Sequence, residues 1–268
     1  MDENEQRRTL NVTVEDLDTL DCPLCFSPFD APIFQCKNGH AACEACCTRI
    51  HGLCSSCDEP IGEIRCQPLE RAIACMLAPC AFAEHGCTRR LMYAEKAVHE
   101  ALLCHYAPCA CPFPGCGYAG LGLRDHIQGA HAGGDVVSFA GSAAVTLRRG
   151  TAFVVLLQET DARVFLLLNG GDVPSGRSLS VVCVGPCLAG NKSMEYELRV
   201  VGGGGGAGTS GSLSLSASGP VACTRLWMGY HPMEGFLFVP DAYWSSSGAV
   251  SVTVHVRKLN CERQGLTA

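Results

Sequence analysis

The stretch Cys22-Pro-Leu-Cys25 opens a series of four ligand motifs, which continues with Cys36-Lys-Asn-Gly-His40, Cys43-Glu-Ala-Cys46 and Cys54-Ser-Ser-Cys57. Each CxxC pair places two thiolates on a tight turn that can bind one tetrahedral zinc ion. Eight ligands complete two tetrahedra and leave no coordination position for a catalytic water. We therefore predict two structural zinc sites in this segment and assign no catalytic residue.

Composition supports metal binding rather than disulfide formation. The chain has 268 residues, a net charge of −6 and 20 cysteines, 16 of which lie between Cys22 and Cys116. The charged opening segment and the absence of a long apolar run argue against a signal peptide and a membrane span. We therefore expect a reducing compartment, the cytoplasm or the nucleus, where dense cysteines indicate metal. The acidic balance gives no electrostatic basis for binding nucleic acid.

A second block rich in cysteine and histidine, residues 79–132, contains an internal repeat. Its two ligand sets have similar spacing, Cys80-x6-Cys87-x11-His99-x4-Cys104 and Cys109-x6-Cys116-x9-His126-x4-His131. A cysteine pair on a turn followed by a His/Cys or His/His pair on a helix is typical of zinc fingers. The repeat predicts two tandem fingers.

Residues 133–262 change in character and are predicted to form a β-sandwich. Seven or eight apolar or alternating runs are separated by turn residues, including Gly185-Pro186 and the glycine run 202–206. Alternation such as Val250-Ser-Val-Thr-Val-His-Val256 is typical of half-buried antiparallel strands. Of the remaining segments, we predict a disordered lead at 1–20, a connecting helix at 59–78 and a tail at 263–268.

The first ligand series resembles the RING finger of the C3HC4 subtype, in which a lone histidine is the fourth ligand. The resemblance implies interleaved sites, one formed by Cys22, Cys25, Cys43 and Cys46 and the other by Cys36, His40, Cys54 and Cys57. It also implies an E3 ubiquitin ligase that docks a ubiquitin-charged E2 and forms no covalent intermediate. By analogy the E2-binding residues are Leu24 and Ile33, for which packing in a miniature core is an even alternative.

Two positions depart from the pattern of many active RING domains. Ser55 stands where many have a proline after the seventh ligand, and Asp58 stands where many have an arginine that holds the E2–ubiquitin conjugate closed. An ionised acid cannot donate the hydrogen bonds of an arginine. Arg49 and Arg65 are basic but displaced from that position. A non-catalytic adaptor with the same fold is therefore the alternative function.

The order of motifs resembles the seven-in-absentia (SINA/SIAH-type) ubiquitin ligases, and most of all their SINA-like members in plants. Matching segments include Asp21–Phe26, Pro32–His40 and Glu95–Glu100. The resemblance implies about four zinc ions per chain, the third bound by Cys80, Cys87, His99 and Cys104. The fourth takes Cys116, His126 and His131 together with Cys109, whose x6 spacing repeats the first finger, or with its competitor Cys111.

The fold class that the resemblance implies has two parts. A zinc-stabilised small α+β N-terminal half, with a RING at 21–58 and SIAH-type tandem fingers at 79–132, is followed by an all-β TRAF-like antiparallel sandwich. The fingers and sandwich of the family bind protein substrates for ubiquitin-dependent degradation and form a homodimer. Cysteines outside the ligand sets, among them Cys75, Cys183, Cys187 and Cys223, are predicted to be small buried apolar residues.

Overall fold

The computed structural model describes residues 17–133, 135–170, 173–187, 192–202, 213–232 and 234–260. Most of the predicted lead, glycines 203–206, Cys261 and the predicted tail lie outside the described residues. No helix in the described part is both long and apolar enough to cross a membrane. The described residues divide into two compact units, those up to 80 together with 88–97, and those of 81–87 together with those from 98 onward.

The first unit is built from short elements around the cysteine ligands. Its strands are β1 (Ile33–Gln35), β2 (Ala41–Cys43), β3 (Ile64–Arg65), β4 (Leu77–Pro79) and β5 (Arg90–Met92). Its helices are α1 (Glu44–Arg49), α2 (Gln67–Cys75) and α3 (Tyr93–Val98). Strand β1 is central in an antiparallel sheet of order β2-β1-β3, and β4 pairs with β5.

A small core fills this unit, and cysteines make up much of it. Its buried residues are Leu20, Cys22, Phe29, Ile33, Cys36, Ala42, Cys46, Cys47, Cys54, Ile61, Ile73 and Tyr93. Five of these twelve are cysteines, so little apolar area is available to stabilise the fold. A metal that binds the sulfur atoms therefore contributes folding free energy directly.

Helix α2 lies within the segment for which the sequence predicts a connecting helix. Pro68 is in its first turn, where a backbone N–H has no intrahelical partner and a proline is tolerated. Ile73 is buried in the core, and Leu69 and Met76 pack against it. The apolar residues that recur at helical spacing after Pro68 therefore face the core of this unit.

Glu70 ties α2 to β1 through both of its oxygens. Its Oε1 accepts hydrogen bonds from the Ile33 N–H at 2.9 Å and from Arg65 Nε at 3.0 Å, and its Oε2 accepts one from Arg65 Nη2 at 2.7 Å. The Arg65 guanidinium and the Ile33 N–H hold the pKa of the Glu70 carboxyl below its ordinary value. Its stabilising contribution is therefore complete above about pH 4.3 and is lost as pH falls through the lower folded-state pKa.

The second unit contains two large sheets and a finger with one helix, α4 (Leu123–Ala130). The finger strands are β6 (Cys109–Ala110) and β7 (Ala119–Gly120). The sheet strands are β8 (Val136–Phe139), β9 (Ser142–Arg148), β10 (Phe153–Gln158), β11 (Val164–Gly170), β12 (Gly176–Val184), β13 (Lys192–Val201), β14 (Ser214–Pro220), β15 (Ala222–Thr224), β16 (Leu237–Pro240) and β17 (Ala249–Asn260). One sheet has the order β15-β12-β11-β10-β8 with β16 paired to β12, and the other has the order β14-β13-β17-β9.

Strands β10 and β11 are buried at every position because both faces of their sheet are covered. On one face, Val154 and Phe165 share a core with Leu198 and Val252 of the other sheet. The opposite face packs against Leu123 and Ile127 of α4 and against the finger cysteines Cys109 and Cys111. The C-terminal part is β-rich as predicted, and its packing continues into the finger across residue 133.

Two strand pairs in the larger sheet are parallel, which differs from the antiparallel arrangement that the sequence predicts. Strand β8 is parallel to β10, and β12 is parallel to β15. In each case the chain passes through the other sheet between the two strands, by β9 or by β13 and β14. Hydrophobic alternation indicates which face of a strand is buried but not the direction of its neighbour.

We predict that Glu70→Gln lowers the melting temperature of the zinc-loaded chain by a few degrees, because the neutral amide weakens the contact with Arg65. The difference from wild type should stay constant between pH 5 and pH 8, where the Glu70 carboxyl is ionised in both the folded and the unfolded chain. Thermal unfolding followed by circular dichroism measures both quantities. Glu63→Gln, the same change at an exposed position, is the matched control, and equal melting of the two variants would contradict the prediction.

Candidate metal centres

The first metal group joins a turn to the end of a strand and the start of a helix. Cys22 and Cys25 lie on the turn, Cys43 ends β2 and Cys46 lies in α1. The Sγ atoms of Cys25 and Cys43 are 3.9 Å apart, and the Cys43 N–H donates to Cys22 Sγ at 3.5 Å. Two sulfurs bound to one tetrahedral zinc are about 3.8 Å apart, since each Zn–S bond is about 2.3 Å. The thiols are therefore spaced for one ion.

The pKa values of two thiols in this group are shifted in opposite directions. The backbone N–H and the hydroxyl of Ser27 lower the pKa of the Cys25 thiol to about 6. Burial and the neighbouring thiols raise the pKa of Cys46 to about 12. Because thiolates are the ligands of zinc, the hydrogen bonds at Cys25 favour its ligand form, whereas burial at Cys46 opposes loss of its proton until an ion binds.

The second metal group lies between β1 and the Cys54–Cys57 turn. Cys36 Sγ is 3.7 Å from Cys57 Sγ, and His40 Nδ1 is 3.5, 3.6 and 3.3 Å from the sulfurs of Cys36, Cys54 and Cys57. A sulfur and a nitrogen on one tetrahedral zinc are about 3.6 Å apart. Backbone N–H of Glu59 and the side chain of Asn38 lower the pKa of Cys57 to about 6. Because Nδ1 of His40 is close to all three sulfurs, it is the ligand atom that His40 offers.

The two groups alternate along the chain, as the resemblance to the RING finger implies. The first takes ligand pairs one and three, and the second takes pairs two and four. Each metal group therefore closes a loop that contains part of the other. Neither half of the segment can adopt its fold alone, because every loop between ligand pairs is fixed at its two ends by different ions.

The third metal group consists of Cys80, Cys87, His99 and Cys104, all of which are buried. Cys87 Sγ is 3.5 Å from His99 Nε2. These are the four residues that the resemblance assigns to the first finger, and the ligand atoms lie within 4.8 Å of one another.

The fourth metal group consists of Cys111, Cys116, His126 and His131. Cys116 Sγ is 3.2 Å from His126 Nε2, and Cys111 Sγ is 3.4 Å from His131 Nε2. Each imidazole stacks on an aromatic ring, which fixes its orientation: the rings of Tyr118 and His126 are 4.0 Å apart, and those of Phe113 and His131 are 4.2 Å apart.

Cys111, and not Cys109, completes this group, which corrects the choice made from the x6 spacing. Cys109 lies in β6, where its Sγ is 3.7 Å from Arg225 Nη1. Cys111 follows the strand and begins the turn to Cys116, whose N–H donates to the Phe113 carbonyl at 3.1 Å. The second finger has a shorter turn between its cysteines than the first, so equal spacing is not preserved between the repeats.

All four groups fit zinc. Thiolate and imidazole donors in sets of four are the ligands of structural zinc, and each set is compact enough for one tetrahedral ion. A full set of protein ligands leaves no position for substrate or water, so zinc here stabilises the fold and supplies no chemistry of its own.

Arg225 is a structurally important residue that no sequence motif indicates. Its guanidinium donates to three backbone carbonyls near the end of the first finger, those of Ala101 at 3.0 Å, Cys104 at 2.5 Å and Ala107 at 3.1 Å. The side chain therefore holds the backbone of ligand Cys104 from outside the finger. Only long-range contacts identify this role, because Arg225 is separated from these residues by more than 115 positions.

Ile33 does not reach the surface, which corrects its assignment as an E2-binding residue. It is 0% exposed and lies in the core of the first unit, so the alternative of core packing applies. Leu24 is half-buried and lines a shallow cavity of about 210 Å³ together with Ile50 and Ser55. Arg49 Nη2 donates to the Leu24 carbonyl at 3.1 Å and thereby holds the first zinc turn beside this cavity.

Neither displaced arginine is free to replace the one absent at position 58. Arg65 is occupied by the carboxylate of Glu70, and Arg49 contacts the Leu24 carbonyl and Cys46 Sγ. Asp58 itself has a left-handed backbone conformation, with φ of 56°. Neither Arg49 nor Arg65 therefore compensates for the arginine that is absent at position 58.

Two interleaved zinc sites with eight ligands in this order define a RING-domain protein. Residues 22–57 match the family model described as E3 ubiquitin-protein ligase sina/sinah, RING finger. The chain belongs to the SINA-like family of E3 ubiquitin-protein ligases.

Relatives in Arabidopsis thaliana match most of the chain. E3 ubiquitin-protein ligase SINA-like 10 is 32% identical over 251 residues, which cover 92% of this chain and 69% of that protein. E3 ubiquitin-protein ligase SINA-like 2 is 30% identical over 251 residues, covering 92% and 78%. SINA-like 6 is 34% identical over 183 residues, which span 67% of this chain and 65%, just under two thirds, of that protein.

We predict that Cys111→Ala lowers the zinc content from about four ions per chain to about three, because three ligands hold the fourth ion weakly. Cys109→Ala, a matched loss of a buried thiol two residues away, should retain about four. Elemental analysis after dialysis against a weak chelator measures the difference. Loss of zinc from Cys109→Ala with full zinc in Cys111→Ala would contradict the placement of the ligands.

Proposed function

We propose that this chain is a RING-type E3 ubiquitin ligase that brings a ubiquitin-charged E2 to a protein substrate for ubiquitin-dependent degradation. The observation that carries the proposal is the pair of interleaved metal groups within the segment that matches the sina/sinah RING finger. Relatives named E3 ubiquitin-protein ligases support it.

The proposed mechanism uses no covalent ubiquitin intermediate on this chain. All eight ligands of the RING segment are committed to metal, and Cys47, the further thiol in that segment, is 6% exposed and has a pKa raised by burial. A buried protonated thiol is a poor nucleophile. Acceleration would come from holding the E2 thioester close to a substrate lysine in a favourable orientation.

The E2 would dock where Leu24 and Ile50 present apolar surface beside the turns Cys22–Cys25 and Cys54–Cys57. Leu24 is fixed on one side by metal ligands Cys22 and Cys25 and on the other by the Arg49 guanidinium. Phe26, which directly follows Cys25, is 80% exposed and would add a further apolar side chain for the E2 to contact. A rigid apolar patch loses little conformational entropy on binding, which favours affinity.

The C-terminal half would act as the substrate module. We assign residues 79–132 to SIAH-type fingers and 133–262 to a TRAF-like sandwich, and we propose that this half forms the homodimer. Supporting this assignment, the second finger and the larger sheet share one apolar core, so they present a single rigid surface. The net charge of −6 disfavours nucleic acid as a partner. Cytoplasm and nucleus are the proposed locations.

A non-catalytic adaptor is the second candidate function. It is favoured by Asp58, by Ser55 and by the engagement of Arg65 with Glu70. Under this alternative the same zinc-bound fold would bind partners without promoting ubiquitin transfer.

We expect zinc-loaded protein to assemble ubiquitin chains on itself with at least one member of an E2 panel. Cys22→Ser/Cys25→Ser should abolish the chains, because two ligands of the first RING zinc are lost. Immunoblotting for ubiquitin after incubation with E1, E2 and ATP measures the result.

The same assay separates the two candidate functions. Absence of chains with every E2, while about four zinc ions remain bound, would favour the adaptor. Activity gained by Asp58→Arg in that case would identify the absent arginine as the cause.

We predict that Leu24→Ala weakens E2 binding by about 1–2 kcal/mol, roughly 5- to 30-fold, because an apolar contact is truncated. Discharge of ubiquitin from the charged E2 to free lysine should slow in parallel at subsaturating protein. Leu121→Ala, which truncates a leucine that is 54% exposed outside the RING, is the matched control. Equal E2 affinity of wild type and Leu24→Ala, measured by calorimetry, would remove Leu24 from the docking surface.

A further inference from the structure

Three cysteines outside the metal groups meet on the larger sheet of the second unit. Cys183 lies in β12 and is directly paired with Cys223 in the parallel strand β15. Cys187 follows β12 by three residues and is held beside the first finger, where its N–H donates to the Leu102 carbonyl at 2.7 Å. None of the three belongs to a metal group among the described residues.

The register places Cys183 and Cys223 at the separation that a disulfide needs. Paired residues on neighbouring strands lie about 4.8 Å apart. Disulfides join residues whose Cα atoms are about 4.4–6.8 Å apart. The Cys223 thiol also interacts with those of Cys183 and Cys187, and the contact with Cys183 together with burial raises its pKa. Cys223 is therefore central in the group, and the strand register favours Cys183 as its partner.

Arg163 provides a cation beside the Cys183 sulfur. Its Nη1 is 4.0 Å from Cys183 Sγ and donates to the Pro186 carbonyl at 2.7 Å, while its Nε donates to Asp161 Oδ2 at 3.1 Å. The interaction with Cys223 and the charge of Arg163 lower the pKa of the Cys183 thiol. A thiolate beside a fixed guanidinium is the reactive form of cysteine.

Cys183 borders a cavity that is large enough to hold a small peroxide. Cys183, Arg163, Val184 and Pro186 line a cavity of about 460 Å³. Cys183 itself is 0% exposed at the molecular surface, whereas Cys187 and Cys223 are partly exposed. The burial that the sequence predicts for these cysteines therefore holds for Cys183 but not for Cys187 and Cys223.

We propose that Cys183 and Cys223 form a redox-active thiol pair, separate from the zinc ligands, that a peroxide converts to a disulfide. The Cys183 thiolate attacks one peroxide oxygen, the O–O bond breaks, and the departing oxygen takes up a proton to leave as water when the oxidant is hydrogen peroxide. The Cys223 sulfur then attacks the sulfenic acid on Cys183, the S–O bond breaks, and a second water leaves with the Cys223 proton. Two thiols are oxidised and one peroxide is reduced.

The disulfide would constrain the backbone that carries Arg225, whose side chain holds the first finger. Arg225, which donates to the carbonyls of Ala101, Cys104 and Ala107, lies two residues after Cys223. A covalent bond between β12 and β15 would fix the backbone at Cys223, directly before the residues that carry the Arg225 side chain.

The test exposes the full zinc-loaded chain to increasing hydrogen peroxide, traps remaining thiols with N-ethylmaleimide under denaturing conditions and maps disulfide-linked peptides by mass spectrometry. Zinc is measured in the same samples. We expect a Cys183–Cys223 disulfide while about four zinc ions remain bound, and we expect dithiothreitol to reverse it.

Matched variants identify the pair. Cys187→Ser should retain the Cys183–Cys223 disulfide, whereas Cys223→Ser should yield none and accumulate sulfinic acid at Cys183. The zinc content and melting temperature of each variant establish that it is folded. Release of zinc before any Cys183–Cys223 disulfide forms in wild type would overturn the proposal, as would a disulfide that joins Cys223 to Cys187. Wild-type mapping decides the question even if a variant does not fold.

Discussion

Tetrahedral binding of sulfur and nitrogen ligands is the constraint on which the N-terminal half depends. The core of the first unit is small, and five of its twelve buried residues are cysteines. Apolar burial of this extent cannot offset the conformational entropy of ordering the chain. Structural zinc contributes about 10–16 kcal/mol in comparable small domains, which is enough to change the balance. The interleaved order of the ligands makes the two RING ions interdependent.

Apolar packing takes over this role in the second unit. Strands β10 and β11 carry uninterrupted apolar runs, and each run is buried on both faces. One face belongs to the core between the two sheets, and the other is covered by Ile127 and the cysteines of the second finger. The fourth zinc group therefore shapes a surface that the sheet needs, and the sheet in turn orders the finger. Arg225 adds a polar contact of the same kind to the first finger.

Single polar side chains fix elements that have little apolar surface of their own. Glu70 satisfies the Ile33 N–H and positions α2, and Arg225 satisfies carbonyls at the end of the π-helical turn His99–Leu103. Backbone groups at such positions would otherwise lack partners. Because Arg65 is engaged with Glu70, it does not compensate for Asp58.

The sequence by itself determined the metal chemistry, the interleaving that follows from the RING resemblance and the succession of strands. These features depend on residue type and on short spacing along the chain, so they can be predicted from local sequence. Only the tertiary structure decided between Cys109 and Cys111, placed Ile33 in the core, made two strand pairs parallel and brought Cys183 beside Cys223. Each of these outcomes depends on which distant segment covers a given face. Spacing along the chain does not indicate which segment this is, because the covering segment is selected by packing between parts of the chain that are far apart in sequence.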